Sequence, residues 1–449
     1  MKNTWFDGRY LLVLGGIVFL LFGIPLMNGS PVPITDFRAA YYSARCLVHS
    51  CDPYRQSEVL RIYQAESGDY ALDSAGMRQV VAEYVYPPTV FVLTVPFAMM
   101  PWKLARTLWI ALTLTSVIIA SFLIWNLGAS CAPILSGSLI AFLLANSVEV
   151  VIIGNPAGIA VALCAMAVWC FLRDRLVQIG VLCLAVSLAI KPQDAGLVWL
   201  YFLLAGGVYR KRALQTVLVA AVFSLPVVLW VGHVAPNWMH EMFSNVSAYS
   251  AHGGINDPGP ASAGARGIGL VVNLQRVISA IWDDPHIYNP VSYLICAPLV
   301  LIWVFVTLLS RSSPPRMLLG IAAIAALSML PVYHRGYDAK LIVLTVPACA
   351  MLWAEGGLIA WLAILVNSVG FVLIADLVWA IYFGAVGNLH LPTAGLSGRV
   401  IEALTVFAVP LILLAMGIFY LFVYVRRCSS DAHPAHFGAL PRLRRQVRP

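Results

Sequence analysis

The sequence contains few charged residues. Asp, Glu, Lys and Arg make up 11% of its 449 residues, whereas a soluble globular protein carries about 25%. Hydrophobic residues make up 61%, and apolar stretches recur from Tyr10 to Val425. This composition excludes an ordinary soluble protein and predicts an all-α polytopic membrane protein.

The sequence also lacks the short motifs of several enzyme classes. It has no Walker loop, no GxGxxG, no Cys/His metal-ligand spacing and no D-x-D motif. We therefore expect no cofactor, and nothing in the sequence requires a metal. Asp283 and Asp284 form only an acidic pair in a loop.

The net charge of +8 lies largely in short basic clusters between and after the apolar segments. By the positive-inside rule these clusters face the cytoplasm, so the charge predicts topology rather than nucleic-acid binding. The basic tail, residues 426–449, can also touch anionic lipid. The clusters are Arg173 with Arg175, Arg210–Arg212, Arg311 with Arg316, and Arg426 with Arg427.

Two hydrophilic regions interrupt the apolar segments. The first, about residues 28–88, has seven acidic residues against five arginines, which suits an external loop. Cys46 and Cys51 lie in it and can form a disulfide there. The second, about residues 233–290, is rich in glycine and proline and predicts a mobile external loop.

The basic clusters and external loops together predict about twelve membrane crossings, with both ends of the chain inside. The first apolar segment, about 10–27, is long for a signal peptide and is expected to be a retained helix. Segment 88–100 is short and bounded by prolines, so we expect it to be re-entrant or interfacial. Residues 1–425 are then a single transmembrane domain. The later helices are expected at about 178–190, 195–209, 213–232, 291–310, 316–331, 340–354, 357–383 and 402–425.

An amphipathic helix is predicted within residues 34–54, directly after the first apolar segment. It begins with Asp36 and ends at the turn signal Cys51–Tyr54. The helix is too short and too charged to span a bilayer, so we expect it to lie in the interface. Asp36 is then either a helix N-cap or a functional carboxylate.

Four further polar motifs are expected on the external side. They are Tyr86–Pro88, Gly154–Gly158, Lys191–Asp194 and Tyr333–Asp338. Ionisable groups between membrane segments are costly, so their convergence on one face predicts a functional site. Each motif also has a structural interpretation: helix breaks at the first two, an interfacial lysine at Lys191, and a hydrogen-bonded pair of His334 and Asp338.

These motifs, in this order, resemble those of glycosyltransferase family 87, which includes mycobacterial mannosyl- and arabinofuranosyltransferases. The resemblance rests on "TDFRAAYYSARCLVHSCDPY", "YPPTVFVLTVPFAMMP", "LAIKPQDAGLVWLYFLL" and "HRGYDAKLIVL", and it spans about residues 10–425. Where family members often have G-Q-x-N, this chain has "GNPA".

The resemblance implies a GT-C fold and a sugar donor carried on polyprenyl phosphate. It makes Asp36 the catalytic base in the first external loop. The departing phosphate needs positive charge, for which the candidates are Lys191, Arg266, His334 and Arg335. The predicted substrate-binding set is completed by Tyr41, Tyr86, Tyr337 and Asp338.

The expected partners are a polyprenyl-phosphate sugar, a glycan or glycolipid acceptor and the lipid bilayer. The expected location is the bacterial inner membrane, with the active site on its external face. Two other functions stay open: a transporter or flippase of lipid-linked sugars, and a non-catalytic scaffold. A transporter does not explain a long, charged first loop, and it would not turn over a polyprenyl-phosphate sugar.

Overall fold

The chain folds almost entirely into helices. The computed structural model describes residues 8–30, 33–67, 75–262, 271–386, 398, 403–404 and 407–430. Its first ten helices are α1 (Gly8–Gly29), α2 (Thr35–Val48), α3 (Gln56–Ser67), α4 (Ala75–Ala82), α5 (Phe91–Ala98), α6 (Trp102–Gly128), α7 (Pro133–Ala145), α8 (Glu149–Ile153), α9 (Pro156–Arg173) and α10 (Val177–Ile190).

Ten further helices follow among the described residues. They are α11 (Pro192–Leu204), α12 (Gly207–Val234), α13 (Trp238–Ser250), α14 (Gln275–Ile281), α15 (Pro285–Leu309), α16 (Pro314–Leu327), α17 (Val346–Glu355), α18 (Gly357–Leu373), α19 (Asp376–Val386) and α20 (Ala408–Ser430). Two 3₁₀ segments, Pro88–Val90 and Asp338–Thr345, precede α5 and α17. Within the described ranges the only β-type pairing is an isolated bridge between Val271 and Arg335.

Seven helical segments of the described chain are long and apolar enough to cross a membrane. They are α1, α6, α7 with α8, α9, α12, α15 and most of α20. The prediction of an all-α polytopic membrane protein is confirmed.

Four apolar stretches are shorter, namely Pro88–Ala98, α10, α16 and α18. A helix of 14 residues, such as α10, is about 21 Å long against a hydrocarbon core of about 30 Å. The count of twelve crossings therefore stays a prediction.

The predicted basic clusters meet at one end of the helix bundle. Arg212 pairs with Asp174 and donates to the carbonyl of Phe171 at 3.0 Å. Arg316 donates to the carbonyl of Arg427, and Arg427 pairs with Glu355. Ser312, just before α16, donates to the carbonyl of Ala205, just before α12, at 2.7 Å. The ends of α9, α17 and α20 and the starts of α12 and α16 are thus at the same level, which we call the basic end.

Helix α2 is confirmed as a helix, and it packs against protein, whereas its position at the lipid interface stays a prediction. Nine of its 14 residues are buried. The Phe37 ring stacks on Trp109 of α6 at 4.2 Å, and the Tyr41 hydroxyl donates to the carbonyl of Met100 at 2.7 Å. Its apolar pattern therefore reports packing against protein rather than lipid. After the helix ends, Cys51 turns back and forms a disulfide with Cys46.

The second hydrophilic region is also more ordered than predicted. Residues 238–250 form α13, and residues 275–281 form α14. The chain before α14 is hydrogen-bonded to the segment before the second 3₁₀ helix, since Val272 N donates to His334 O at 2.9 Å and Leu274 N to Leu330 O at 3.0 Å. These long-range bonds cannot be anticipated from glycine and proline content. Arg266 lies in this region but outside the described residues.

The first prediction concerns topology. Cys131 is exposed in the turn between α6 and α7, and the carbonyl of Asn126 in the last turn of α6 accepts from Arg173 of the basic end. Ser57 is exposed on α3, at the opposite end. Cys428, a half-buried free thiol at the basic end, is first replaced by serine. In this background an impermeant maleimide should label Cys131 in inside-out vesicles only. With Cys131→Ser added, Ser57→Cys should be labelled in right-side-out vesicles only. The reverse pattern would contradict the orientation.

Candidate active site

A cavity of about 520 Å³ opens at the end of the bundle opposite the basic end. This volume is within the range of about 300–1,000 Å³ typical of small-molecule sites. All five polar motifs of the sequence, from the start of α2 to the segment before the second 3₁₀ helix, contribute to or border it. Its polar lining is Thr35, Asp36, Glu83, Tyr84, Tyr86, Lys191, Gln193, Tyr249, Ser250, Asn256, Tyr333, Arg335 and Tyr337.

Asp36 faces this cavity from the first turn of α2. The N-cap of α2 is Ile34, which has the left-handed backbone conformation (φ 58°, ψ 43°), so the interpretation of Asp36 as the N-cap is wrong. Ile34 N donates to Ile152 O at 2.7 Å, which ties the start of α2 to the end of α8. This backbone conformation is rare and strained for isoleucine, so the surrounding structure must hold it. The bond to Ile152 does so, and it thereby fixes where α2 begins and where Asp36 points.

The "GNPAG" motif places Asn155 directly against Asp36. Gly154 has φ +66°, and a Cβ there would lie 2.4 Å from the Ile34 side chain, so glycine is required for this close approach. Pro156 begins α9, and Asn155 caps it by accepting from Ala157 N at 2.8 Å. Its amide nitrogen lies 2.5 Å from Asp36 Oδ2.

The same amide nitrogen reaches two tyrosines. It lies 2.6 Å from the Tyr86 hydroxyl and 2.8 Å from the Tyr337 hydroxyl. One side chain thus connects four parts of the chain that are far apart in sequence. Burial raises the pKa of the Asp36 carboxyl above its usual range, and Asn155 and the charges of Arg335 and Lys191 partly offset this shift. Asp36 is therefore a stronger base than an exposed carboxylate.

Arg335 supplies positive charge on the same cavity. Its guanidinium donates to the Tyr333 hydroxyl, and to Ile255 O and Asn256 Oδ1 at 2.9 Å each. These contacts hold the guanidinium at the wall of the cavity, where it also attracts the carboxylate of Asp36. The fork of N–H groups on arginine matches phosphate geometry.

The charge of Lys191 is compensated within the protein. Its ammonium lies 2.5 Å from Asp338 Oδ1 and 4.0 Å from Asp194 Oδ2. Lys191 is only 4% exposed, and both carboxylates are fully buried. Asp338 also accepts from Arg335 N at 2.7 Å, so this ion pair supports the segment that carries Arg335.

Comparison with known proteins gives one match. The model of glycosyltransferase family 87 matches residues 84–333, more than half of the chain. The chain belongs to glycosyltransferase family 87. No curated protein and no solved structure matches it.

This family 87 chain is therefore a membrane glycosyltransferase by family. The matched region includes Tyr86, Lys191 and Tyr333 of the cavity, and Asn155 beside it, whereas Asp36 precedes the region. A GT-C fold is consistent with the family.

The structure brings most, but not all, of the predicted site residues of the family 87 chain together. Asp36, Tyr86, Lys191, Arg335 and Tyr337 line the cavity. Asp338 lies behind Lys191, paired with it. The predicted hydrogen-bonded pair of His334 and Asp338 is wrong. The His334 ring faces Asp194 instead, with its Nε2 3.1 Å from Oδ1 of Asp194. Tyr41 points away, toward Met100.

Several residues in or beside the cavity were not singled out from the sequence. Asn155 lies in a motif interpreted mainly as a helix break, and the available signal was a polar side chain between a glycine and a proline. Tyr249 and Asn256 come from the region predicted to be a mobile loop, and Glu83 precedes the Tyr86 motif. None of these last three residues lies in one of the predicted motifs.

Two groups of described residues of the family 87 chain have metal-ligand atoms close together. The first contains Cys46, Cys51 and Glu58, but its cysteines are joined in a disulfide. The second contains His252, Asp257 and Asp283, where His252 and Asp257 are 3.4 Å apart and can equally form an ion pair. Neither group includes Asp36, and metal independence stays a prediction.

The second prediction concerns the buried ion pair. Lys191→Met leaves Asp338 with an uncompensated buried charge, so it should destabilise the protein by about 3–5 kcal/mol, seen as a lower melting temperature in detergent. Lys191→Met combined with Asp338→Asn removes both charges and should recover much of this loss. A single variant as stable as wild type would mean that the pair is not buried.

Proposed function

We propose that this chain transfers a sugar from a polyprenyl-phosphate donor to a hydroxyl group of an envelope glycan or glycolipid, at the external face of a bacterial inner membrane. Asp36 is the general base and Arg335 binds the donor phosphate. The observation that carries the proposal is that this carboxylate and this guanidinium share one cavity in a member of glycosyltransferase family 87.

The bond changes of this reaction fit the two groups. The acceptor oxygen forms a bond to the anomeric carbon while its proton passes to the Asp36 carboxylate. The bond from the anomeric carbon to the phosphate oxygen breaks, and the electron pair leaves with the polyprenyl phosphate. Charge develops on that phosphate, where the guanidinium of Arg335 stabilises it. A single displacement of this kind inverts the anomeric configuration.

The position of the cavity supports a lipid-borne donor. The cavity lies at one end of a bundle whose helices expose long apolar faces. In the most apolar stretch of α12, for example, only 6% of the residues are buried within the protein. A polyprenyl chain can remain in the bilayer beside such a face while its phosphate enters the cavity. The basic clusters at the other end support a cytoplasmic location for that end, which makes the cavity external.

The third prediction tests Asp36 as the base. Asn has nearly the shape of Asp but cannot take up a proton, so Asp36→Asn should reduce transfer by about 10²- to 10⁴-fold. Its melting temperature should stay near that of wild type, because no helix cap is lost. Asp36→Glu displaces the carboxylate and should recover little activity. Sugar transfer by Asp36→Asn at the wild-type rate would contradict the assignment.

The fourth prediction concerns the donor phosphate. Arg335→Gln removes one charge-assisted interaction, worth about 1.5–3 kcal/mol, so kcat/KM for the donor should fall roughly 10- to 150-fold. Inhibition by free polyprenyl phosphate should weaken in parallel, since that product carries the same phosphate. Arg61→Gln, at an exposed position on α3, is the matched control. Unchanged inhibition in Arg335→Gln would place the phosphate elsewhere.

A further inference from the structure

Asn155 has a geometry beyond what a helix cap needs. It is 1% exposed, and its Oδ1 accepts the N–H of Ala157 at 2.8 Å. That bond fixes the orientation of the amide group, because only an oxygen can accept there. The amide nitrogen must then face Asp36, Tyr86 and Tyr337.

The amide nitrogen has two protons for three acceptors. The shortest contact, 2.5 Å, goes to Oδ2 of Asp36, and the two tyrosine hydroxyls are at 2.6 and 2.8 Å. An ionised carboxylate is the strongest acceptor of the three, so it takes one proton and the tyrosines share the other. Oδ2 of Asp36 is thereby held in place.

The two oxygens of Asp36 are therefore not equivalent. Among the residues that the structure describes, Oδ1 accepts a hydrogen bond only from the hydroxyl of Thr35, at 3.2 Å, and Thr35 also lines the cavity. A hydroxyl on a neighbouring side chain can rotate away when an acceptor sugar binds. Oδ1 is thus the oxygen that is open to an incoming hydroxyl.

We propose that Asn155 is a positioning residue for the base: it anchors Oδ2 of Asp36 and leaves Oδ1 to take the proton of the acceptor hydroxyl. This inference rests on the proposed function, because it assumes that Asp36 is the base. It assigns a role to the asparagine of "GNPAG", at the position where this chain departs from the G-Q-x-N pattern.

The hydrogen bond also affects when Asp36 is ionised. Burial raises the pKa of the Asp36 carboxyl, and the hydrogen bond from Asn155 is the largest opposing effect. A base must be ionised before it can accept a proton. Loss of the Asn155 amide should therefore move the acid limb of the pH–rate profile to higher pH.

Asn155→Ser separates this role from helix capping. Serine is about as good an N-cap as asparagine, so α9 keeps its cap, but the serine hydroxyl is too short to span from Ala157 N to Asp36. Asn155→Ala loses both functions. Asn146→Ser, a buried asparagine at the end of α7 and outside the cavity, is the matched control for loss of an amide.

The experiment measures the pH–rate profile of donor turnover for these variants in nanodiscs. Asn155→Ser should retain the wild-type melting temperature, lose about 10- to 100-fold in kcat on the alkaline plateau through misplacement of the base, and show its acid limb at higher pH. Infrared titration of the Asp36 carboxyl, assigned by its absence in Asp36→Asn, should show the same upward shift without requiring turnover.

The outcomes distinguish this inference from the proposed function. If Asn155→Ser has the same rate, the same acid limb and the same infrared titration as the wild type, Asn155 is only a helix cap. If Asn146→Ser changes the rate and the acid limb as much as Asn155→Ser does, the changes come from a general packing defect. If wild-type protein fails to turn over any polyprenyl-phosphate sugar while the infrared shift in Asn155→Ser is present, the proposed function fails and the contact between Asn155 and Asp36 stands.

Discussion

The hydrogen bond between Asn155 and Asp36 is the contact on which the site depends. It joins the first turn of α2 to the first turn of α9, across 119 residues of sequence. Neither helix start is free to move, because Ile34 is tied to Ile152 and the Trp109 indole donates to Gly154 O at 3.0 Å. A buried carboxylate is costly unless it is hydrogen-bonded, and this arrangement supplies the bond at a fixed place.

Two buried ion pairs hold in place the segment of the chain that carries Arg335. Lys191 is matched by Asp338, and deeper in the bundle Lys340 is matched by Asp376 at 2.6 Å. Buried pairs of this kind contribute little net stability but are expensive to break, so they fix the segments that carry them. Here they hold the chain around residues 333–340, and Arg335 with it. Asp36 and Arg335 both line the cavity, where we propose that the acceptor hydroxyl and the donor phosphate bind.

The sequence was sufficient for the class of fold and for the list of motifs, but not for the contacts between them. Apolar segments and basic clusters predicted a polytopic helical protein, because lipid requires long apolar helices and charge sets their orientation. The motifs around Asp36, Tyr86, Lys191 and Arg335 were recognised because polar residues between apolar segments are conspicuous. The pairing of Lys191 with Asp338, 147 residues away, depends on how the junction between α10 and α11 meets the start of the second 3₁₀ segment, and no local pattern encodes it. The same limit explains α2, whose amphipathic pattern fits a lipid surface and a protein surface equally well.

The central claim is that donor and base meet in this one cavity. A cryo-EM structure with a non-cleavable polyprenyl phosphonate sugar tests it most directly. The account predicts the phosphonate within hydrogen-bond distance of the Arg335 guanidinium, the anomeric carbon facing Asp36, and space for an acceptor hydroxyl beside Oδ1 of Asp36. A phosphonate bound at the basic end of the bundle, or a sugar that does not enter the cavity, would contradict it.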